Sequence, residues 1–176
     1  MILSIISAIA NNNEIGMKNT LLWDLPADMK HFKETTTGHP VIMGQRTFES
    51  LGTSKEGLPG RPLPNRRNII LTLDTNFKRK DVEVYYSIED LEKALDETLG
   101  ENEEAFIIGG GQIYKLFINK ADRLYITHVN ANFPDADTYF PAIDKDKWEK
   151  IESKSHPKDE LNAYDLEFVV YSKKEY

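Results

Sequence analysis

The fold is indicated first by residues 105–118, which read AFIIGGGQIYKLFI. Ala105–Ile108 is a short apolar run, a pattern typical of a strand that is covered on both faces. The three glycines Gly109–Gly111 favour a tight turn, and the residues from Gln112 to Ile118 then favour a helix. A buried strand that turns directly into a helix is the repeating unit of α/β proteins.

The same alternation of short strands and helices extends along the chain in both directions. Further strands are predicted over Ile2–Ile9, Val41–Met43, Asn68–Leu73, Val82–Tyr86 and Arg123–Val129, and an antiparallel pair over Trp148–Ser155 and Leu166–Lys173. Further helices are predicted over Pro26–Thr36, over about 46–51 and from Ser87 to about Leu99. The sequence therefore predicts one α/β domain over residues 1–176, with a mainly parallel sheet and helices on both of its faces.

Composition excludes several classes of protein. The 22 basic and 29 acidic residues give a net charge of −7, which argues against a nucleic-acid surface and against an anionic-membrane binder. No cysteine is present, so disulfide scaffolds, thiolate nucleophiles and zinc sites with cysteine ligands are excluded. The opening MILSIISAIA lacks the basic residues of a secretion signal, and we expect a soluble cytoplasmic protein.

The glycine turn is the first candidate for chemistry. Small residues between a strand and a helix allow a backbone to approach a phosphate, and the helix start offers free amides. The full G-x-G-x-x-G pattern is broken because Tyr114 occupies the third glycine position. A tight turn without a ligand is therefore an equally good interpretation of this segment alone.

The second candidate is Asp28, a lone carboxylate in the predicted helix Pro26–Thr36. Phe32 and Thr36 follow it at i+4 and i+8, so the three residues share one face of the helix. A carboxylate on an inward face requires a partner or a function. The alternative is a residue of the first turn that the helix dipole stabilises.

A third candidate is a set of four arginines, Arg46, Arg61, Arg66 and Arg67. Arg46 stands at a helix start, where an anionic group would be stabilised. Arg66 and Arg67 precede a strand, where a planar guanidinium could grip a carboxylate. Each of them taken alone also fits an ordinary solvated surface charge.

Six segments that carry these features occur in one order along the chain. They are Ile15-Gly16, Leu22-Trp23-Asp24-Leu25-Pro26-Ala27-Asp28, Val41-Ile42-Met43-Gly44, Arg61-Pro62-Leu63-Pro64 with Arg66, Ile108-Gly109-Gly110-Gly111-Gln112-Ile113-Tyr114, and Asp137-Thr138-Tyr139-Phe140-Pro141. Together they resemble the dihydrofolate reductase family in its bacterial chromosomal form. The resemblance runs from Ile2 to about residue 172, and the combination of W-x-L-P-x-D with I-G-G-G-x-x-Y is highly specific.

The resemblance implies a mostly parallel eight-stranded sheet with C-terminal antiparallel strands, flanked by about four helices. An adenosine-binding subdomain would span roughly residues 40–110. The implied reaction is the NADPH-dependent reduction of 7,8-dihydrofolate to 5,6,7,8-tetrahydrofolate, by hydride transfer to pterin C6 with protonation at N5, in support of one-carbon metabolism. We expect no metal, we expect antifolate-type small molecules as ligands, and the family is usually monomeric.

By resemblance, Asp28 is the ionisable side chain of the pterin pocket, where it would bind the 2-amino group and N3 and promote protonation at N5. A carboxylate beside Phe32 is removed from water, which raises its pKa toward neutral pH. Thr127 would hydrogen-bond behind Asp28, and Trp23 would hold a bridging water. The resemblance lines the pterin and benzoyl sites with Ile6, Ala8, Met29, Phe32, Leu51, Leu63 and Ile108, and it places Arg66 on the glutamate α-carboxylate.

For the cofactor, the resemblance places the nicotinamide and its ribose on Ala8, Ile15, Gly16, Asn19 and Leu21, the last also a candidate catalytic residue. The phosphates would lie on Gly44, Gln45, Arg46 and Thr47 and on the turn of Ile108, Gly109, Gly110, Gly111, Gln112, Ile113 and Tyr114, with a cis Gly109–Gly110 peptide. Leu71, Thr72 and the basic run Lys78-Arg79-Lys80 would lie toward the adenosine. The loop Asn11–Leu25 would close as a lid that Asp137 holds shut.

Three departures from the family pattern are visible. Gln45 stands where the family often has a basic residue near the 2′-phosphate, so a preference for NADPH over NADH would rest more on Arg46. Leu21 replaces a frequent methionine of the lid, and Thr53–Gly60 is an insertion relative to the short bacterial form.

Two other functions remain open at this point. The pyrimidine reductase of riboflavin synthesis shares the fold and NADPH but lacks W-x-L-P-x-D. A non-catalytic nucleotide-binding relative would be expected to lose the acid or the glycine turn, and both Asp28 and Gly109–Gly111 are intact.

Overall fold

A computed structural model of the protein describes residues 1–18 and 20–175. Within these ranges the helices are α1 (Pro26–Thr36), α2 (Gln45–Glu49), α3 (Ile88–Thr98) and α4 (Gly111–Phe117). The strands are β1 (Ile2–Ile9), β2 (Glu14–Gly16), β3 (Val41–Gly44), β4 (Asn68–Leu71), β5 (Glu83–Tyr85), β6 (Glu104–Gly109), β7 (Arg123–Val129), β8 (Thr138–Tyr139), β9 (Trp148–His156) and β10 (Leu166–Lys173). None of these helices is long and apolar enough to cross a membrane.

Eight of the strands form one sheet in the order β5-β4-β3-β6-β1-β7-β10-β9. Every neighbouring pair from β5 to β7 is parallel, whereas β10 runs antiparallel to both β7 and β9. The predicted fold class, a mostly parallel eight-stranded sheet with C-terminal antiparallel strands and four helices, is confirmed. The parallel arrangement also brings the carboxyl ends of β1, β3, β4, β6 and β7 to one edge of the sheet.

The hydrophobic core lies on both faces of this sheet, because consecutive strand residues point to opposite sides. In β1, Ile5 belongs to one buried cluster and Ile6 to another. Leu91 of α3 and Phe117 of α4 pack in the first cluster, and Phe48 of α2 packs in the second. Burial on both faces explains why the central strands read as nearly continuous apolar runs.

One strand of a small second sheet lies inside the segment that the sequence predicts to be a loop. Strand β2 pairs antiparallel with β8, and Glu14 lies opposite Tyr139. Strands of two or three residues are too short to show a period of two, and their partners are more than a hundred residues apart. The predicted loop Asn11–Leu25 therefore begins with a strand that ties it to residues 138–139.

Several predicted boundaries are wrong by a few residues. Helix α2 covers Gln45–Glu49 rather than 46–51, and β4 ends at Leu71 rather than at Leu73. A turn follows β4, in which the Asp74 amide donates to the Thr72 hydroxyl at 3.1 Å. This side-chain contact gives the backbone an alternative to the strand ladder, which is why the strand stops early.

The insertion Thr53–Gly60 forms a closed hairpin. The Gly60 amide donates to the Gly52 carbonyl at 2.7 Å, and Thr53 bridges Pro59. The Arg79 guanidinium donates to the Pro59 and Gly60 carbonyls at 2.7 and 3.1 Å and lies 4.8 Å from the ring centroid of Phe48. The Arg79 side chain is only 6% exposed. Arg79, which belongs to the basic run Lys78-Arg79-Lys80 predicted to lie toward the adenosine, therefore holds this hairpin and also pairs with Asp81 at 2.7 Å.

Candidate active site

The predicted site residues come from the carboxyl edge of the parallel strands. Ala8 lies near the end of β1, Gly44 ends β3, Gly109 ends β6 and Thr127 lies near the end of β7. Ligands of open α/β sheets bind outside the carboxyl ends of the strands. The fold therefore collects at one edge residues that are spread over more than a hundred positions of the sequence.

Asp28 lies in the first turn of α1, next to β7. The Thr127 side chain, 2% exposed, hydrogen-bonds the Asp28 carboxyl. Burial raises the pKa of Asp28 above its ordinary value, and the hydrogen bond from Thr127 opposes that rise in part. The arrangement gives a single carboxyl whose proton is held at higher pH than that of a solvated aspartate.

The start of α1 is fixed by a contact that the sequence does not signal. Leu25 stands at the N-cap position, where its side chain can accept no hydrogen bond. Instead the Asn162 side chain, 135 positions away in sequence, accepts from the Ala27 amide at 2.9 Å. Asn162 thus orients the turn that carries Asp28, and only the tertiary structure identifies it.

An apolar wall continues the site from Asp28. Ile6 is buried in the second core cluster, and several partly exposed side chains pack against that cluster: Phe32, Leu51, Leu63 and Ile108. These residues come from β1, α1, β6 and the segment after α2. The structure thus brings together most of the residues that the resemblance assigns to the pterin and benzoyl sites.

Arg66 lies at the far end of this wall. Its guanidinium lies 5.9 Å from the centroid of the Phe32 ring. It donates to the Thr36 hydroxyl at 3.0 Å and to the Pro64 carbonyl at 2.9 Å. Partial burial lowers the pKa of Arg66, but the group remains a cation at any physiological pH. These contacts pre-orient a planar, charged fork beside an apolar surface, where it can bind a carboxylate.

Three further predicted residues lie around the opening of the site. Trp23 packs with Ala8 against a third small core cluster that contains Leu25. Leu21, in the loop before α1, is 65% exposed, and Met29, in the first turn of α1, is 53% exposed.

The glycine turn is closely packed by its neighbours. The Gly109–Gly110 peptide is cis, as predicted, and Gly109 has φ of +132°. A Cβ at Gly110 would lie 3.2 Å from the Thr47 hydroxyl oxygen, and a Cβ at Gly111 would lie 2.7 Å from the Thr138 methyl. Because a side chain at these two positions would crowd Thr47 and Thr138, glycine allows α2 and β8 to pack closely against the start of α4.

The buried side chain of Tyr114 holds the glycine turn through its hydroxyl group. Its hydroxyl lies 2.8 Å from the carbonyl oxygens of both Ile6 and Ile108, and its ring lies 5.0 Å from that of Phe140. Burial raises the pKa of Tyr114 well above its ordinary value, so the phenol stays protonated. Tyr114 therefore ties the glycine turn to the middle of β1.

The start of α2 carries the other predicted phosphate contacts, Gly44, Gln45, Arg46 and Thr47. A Cβ at Gly44 would lie 3.1 Å from Ile113, so this end of β3 is packed against α4. The Gln45 side chain accepts from the Thr72 hydroxyl at 2.8 Å and donates to Glu49 at 3.0 Å. Gln45 is therefore held by protein partners, and Glu49 adds a negative charge beside it.

The segment Asn11–Leu25, which is predicted to close as a lid, is held at Gly16 and Lys18 by Asp137. The Asp137 carboxylate accepts from the Lys18 amide at 2.9 Å, and the Asp137 amide donates to the Gly16 carbonyl at 3.1 Å. The hydrogen bonds from Lys18 and Thr138 lower the pKa of Asp137. Ile15 and Gly16 thus lie at the base of the lid, whereas the predicted contact Asn19 lies outside the described residues.

The groups around the glycine turn fit a dinucleotide cofactor. The backbone amides of Gly109–Gly111, the Thr47 hydroxyl beside Gly110, and Arg46 at the start of α2 are donors that could meet diphosphate oxygens. The remaining predicted contacts, Leu71, Thr72 and Gln112, lie at the end of β4 and at the start of α4 on the same edge of the sheet.

Comparison with known proteins agrees with this geometry. The model of the dihydrofolate reductase family matches residues 2–173. Dihydrofolate reductase type 3 of Salmonella typhimurium is 44% identical over 173 residues, covering 98% of this chain and 99% of that protein. The dihydrofolate reductase of Bacillus subtilis (strain 168) is 42% identical over 172 residues, with coverage of 98% and 95%.

A solved structure agrees as well. The dihydrofolate reductase from Enterococcus faecalis, complexed with NADP(H) and RAB-propyl, superposes with a TM-score of 0.85 at 34% identity. The match covers 99% of this chain and 97% of that one. The family model, the two relatives and the solved structure each match nearly the whole chain and agree on the same family. The protein therefore belongs to the dihydrofolate reductase family.

Proposed function

We propose that the protein catalyses the reduction of 7,8-dihydrofolate to 5,6,7,8-tetrahydrofolate with NADPH, by hydride transfer to pterin C6 and protonation at N5. The observation that carries the proposal is the Asp28 carboxyl, which is hydrogen-bonded by Thr127 and borders an apolar wall at the sheet edge that also holds the glycine turn. A single partly buried acid suits a substrate that needs one proton.

Asp28 would act on the pterin in two ways. As a carboxylate it accepts hydrogen bonds from the 2-amino group and N3, which orients the ring against the apolar wall. Its negative charge in a partly desolvated site also favours a proton on the substrate, which an exposed aspartate would do less well. Thr127 fixes the carboxyl by its hydrogen bond, and Trp23 borders the same space and would hold a bridging water.

At the other end of the substrate, Arg66 would bind the glutamate α-carboxylate through its planar fork. Leu51 and Leu63, with Phe32, would enclose the benzoyl group between these two polar anchors. A substrate held at both ends by charge and in the middle by apolar contacts is fixed in one orientation.

NADPH, when bound, supplies the hydride. Gly44, Arg46, Thr47 and Gly109–Gly111 would hold its phosphates, and Ala8, Ile15, Gly16 and Leu21 would enclose its nicotinamide end. The role of this chain is to place the two rings against one another and to exclude water from them. The segment fastened by Asp137 would close over both ligands.

The proposed function is tested by following the loss of NADPH absorbance in the presence of dihydrofolate. The wild-type protein should catalyse the loss, and Asp28→Asn should be severely impaired while it still binds NADPH in a fluorescence titration. Turnover of the pyrimidine substrate of riboflavin synthesis in place of dihydrofolate would overturn the proposal. NADPH binding without turnover of either substrate would favour a non-catalytic nucleotide-binding protein instead.

Support for one-carbon metabolism follows from the proposed reaction, since tetrahydrofolate is the carrier of one-carbon units. Antifolate-type small molecules that mimic the pterin would occupy the space beside Asp28. The monomeric state, the cytoplasmic location and the adenosine-binding subdomain at roughly residues 40–110 remain predictions from the sequence.

A further inference from the structure

Glu14, on β2, is a buried acid that the proposed reaction does not use. Its side chain is 2% exposed. One carboxylate oxygen accepts from the Asn12 amide at 2.5 Å, and the other accepts from the Phe133 amide at 2.6 Å. Burying a carboxylate costs free energy unless its oxygens meet donors. The Glu14 carboxylate therefore forms a specific link across 119 positions of the sequence.

Glu14 ends a polar segment, Asn11–Glu14, that contacts residues 130–141 along its length. The side chains of Asn11 and Asn12 donate to Asn130 and Asn132 at 3.2 and 3.4 Å, and both contacts are exposed. Exposed amide pairs compete with water and are weak, whereas a hydrogen bond to a buried, charged group is stronger. Backbone hydrogen bonds also hold this segment, from the Asn11 amide to the Ala131 carbonyl and from the Phe140 amide to the Asn13 carbonyl. The buried Glu14 carboxylate is the side chain that holds the Phe133 amide itself.

The residue that Glu14 holds packs directly on the candidate site. The Phe133 ring lies 5.5 Å from the Trp23 ring between centroids, with the two planes tilted by 56°. On its other side Phe133 meets Tyr164 edge-on at 5.8 Å. Trp23 lies between Leu21 of the lid and the first turn of α1, which carries Asp28.

We propose that Glu14 is a positioning residue for Trp23. Its carboxylate holds the Phe133 amide, and the Phe133 ring in turn holds the Trp23 indole beside the substrate pocket. The effect of this link on turnover rests on the proposed function, but the link itself does not. Glutamine in place of Glu14 offers one acceptor oxygen and one NH₂ donor, so one of the two backbone amides would face another donor. The Phe133 amide or the Asn12 amide would then have to move.

The experiment uses the full-length protein labelled with 5-fluorotryptophan, whose two tryptophans, Trp23 and Trp148, are assigned by single Trp→Phe variants. In ¹⁹F NMR, Glu14→Gln should shift or broaden the Trp23 resonance and leave that of Trp148, which is buried at the start of β9 and has no ring contact with Phe133 among the described residues, unchanged. Asp135→Asn is the matched control, because it removes one exposed carboxylate from the same segment, and it should change neither resonance. Glu14→Asp keeps two acceptor oxygens and should preserve more of the wild-type Trp23 signal than Glu14→Gln does.

A kinetic arm uses single-turnover hydride transfer, whose rate constant does not depend on the fraction of folded enzyme. Glu14→Gln should lower that rate constant about tenfold, since small displacements of positioning groups cost up to about 10²-fold. Phe133→Leu keeps the amide that Glu14 binds and removes only the ring, so it should cause a similar loss. The double variant should lose little more than either single variant, because both changes break one link.

Losses that multiply in the double variant, or a Trp23 resonance that Glu14→Gln leaves in place, would overturn the link. If Glu14→Gln does not fold, the same decision rests on Phe133→Leu and Glu14→Asp, which must both perturb Trp23 and not Trp148. A wild-type protein that fails to reduce dihydrofolate would refute the proposed function, and the NMR comparison would still decide the role of Glu14.

Discussion

The Thr127 hydroxyl, near the end of β7, hydrogen-bonds the Asp28 carboxyl in the first turn of α1. Desolvation raises the pKa of Asp28, and this hydrogen bond acts in the opposite direction. Their balance keeps the carboxyl ionisable within a site that is otherwise largely apolar.

Asp28→Asn should keep the fold and NADPH binding but slow hydride transfer to dihydrofolate at neutral pH by about 10²–10⁴-fold, the usual size of general-acid help. Asparagine is nearly isosteric and still hydrogen-bonds the pterin, so the loss reports the missing charge. Since protonated substrate becomes abundant in acid, the variant should recover as the pH falls. Single-turnover rates between about pH 5 and pH 9 measure this. A uniform loss that acid does not relieve would remove Asp28 from its proposed role.

Although Asp28→Asn should slow hydride transfer, it should raise the stability of the fold relative to the wild type. The folded-state pKa of Asp28 is raised above the ordinary value of 3.8, so between these two pKa values the folded state retains a proton that the unfolded state releases. The free energy of unfolding of the wild type therefore falls as the pH rises through that window. Asparagine cannot ionise, so Asp28→Asn should gain stability relative to the wild type between about pH 4 and neutral pH. Urea unfolding of both proteins in acid and at neutral pH measures the difference between their free energies of unfolding. A variant that loses stability relative to the wild type on going from acid to neutral pH would contradict the prediction.

Arg66→Leu should weaken the binding of dihydrofolate far more than that of NADPH. Removing one partner of a partly buried charge pair costs about 2–5 kcal/mol, because the substrate carboxylate is left unpaired. Arg66→Lys keeps the charge but loses the planar guanidinium, so its affinity for dihydrofolate should lie between those of the wild type and of Arg66→Leu. Equilibrium titrations with each ligand separate the two affinities. Equal losses for both ligands would show that another arginine binds the carboxylate.

Gln45→Arg should increase the preference for NADPH over NADH by about tenfold, the value of one added charge-assisted contact of about 1.4 kcal/mol. In the wild type, Gln45 is neutral and is held between Thr72 and Glu49, so it adds no positive charge near the predicted 2′-phosphate position. Gln45→Leu also frees Thr72 but adds no charge, and its preference should stay at the wild-type value. The ratio of kcat/KM for the two cofactors is the measurement, and an unchanged ratio in Gln45→Arg would place the 2′-phosphate elsewhere.

The sheet and the helices were predictable because their signals are local. Ile2–Ile9 and Ala105–Ile108 are apolar runs of strand length, and Pro26 and Gly109–Gly111 mark the starts of helices. The pairing of β2 with β8 was not predictable, since each strand is too short to show a pattern and its hydrogen bonds depend on the folded arrangement of distant segments.

The site residues could be predicted only in combination, and not one by one. Asp28, Arg66 and the glycine turn each had an ordinary structural explanation, and their common order along the chain was what distinguished them. Asn162 and Glu14 carried no such signal, because an asparagine in a loop and a glutamate in a turn-rich segment are usually solvated. Their importance arises from burial and from backbone partners that lie more than a hundred positions away.

The hairpin Thr53–Gly60 has a fastened neck and an exposed turn at its tip. Its neck is fastened by the Gly60–Gly52 hydrogen bond and by Arg79, while residues 55–58 are exposed. The entropic cost of lengthening a loop whose ends are already held together grows only slowly with its length. The bond between Glu56 and Gly57 is therefore a suitable position to graft an epitope or a whole guest domain, with the host left to fold around an unchanged base.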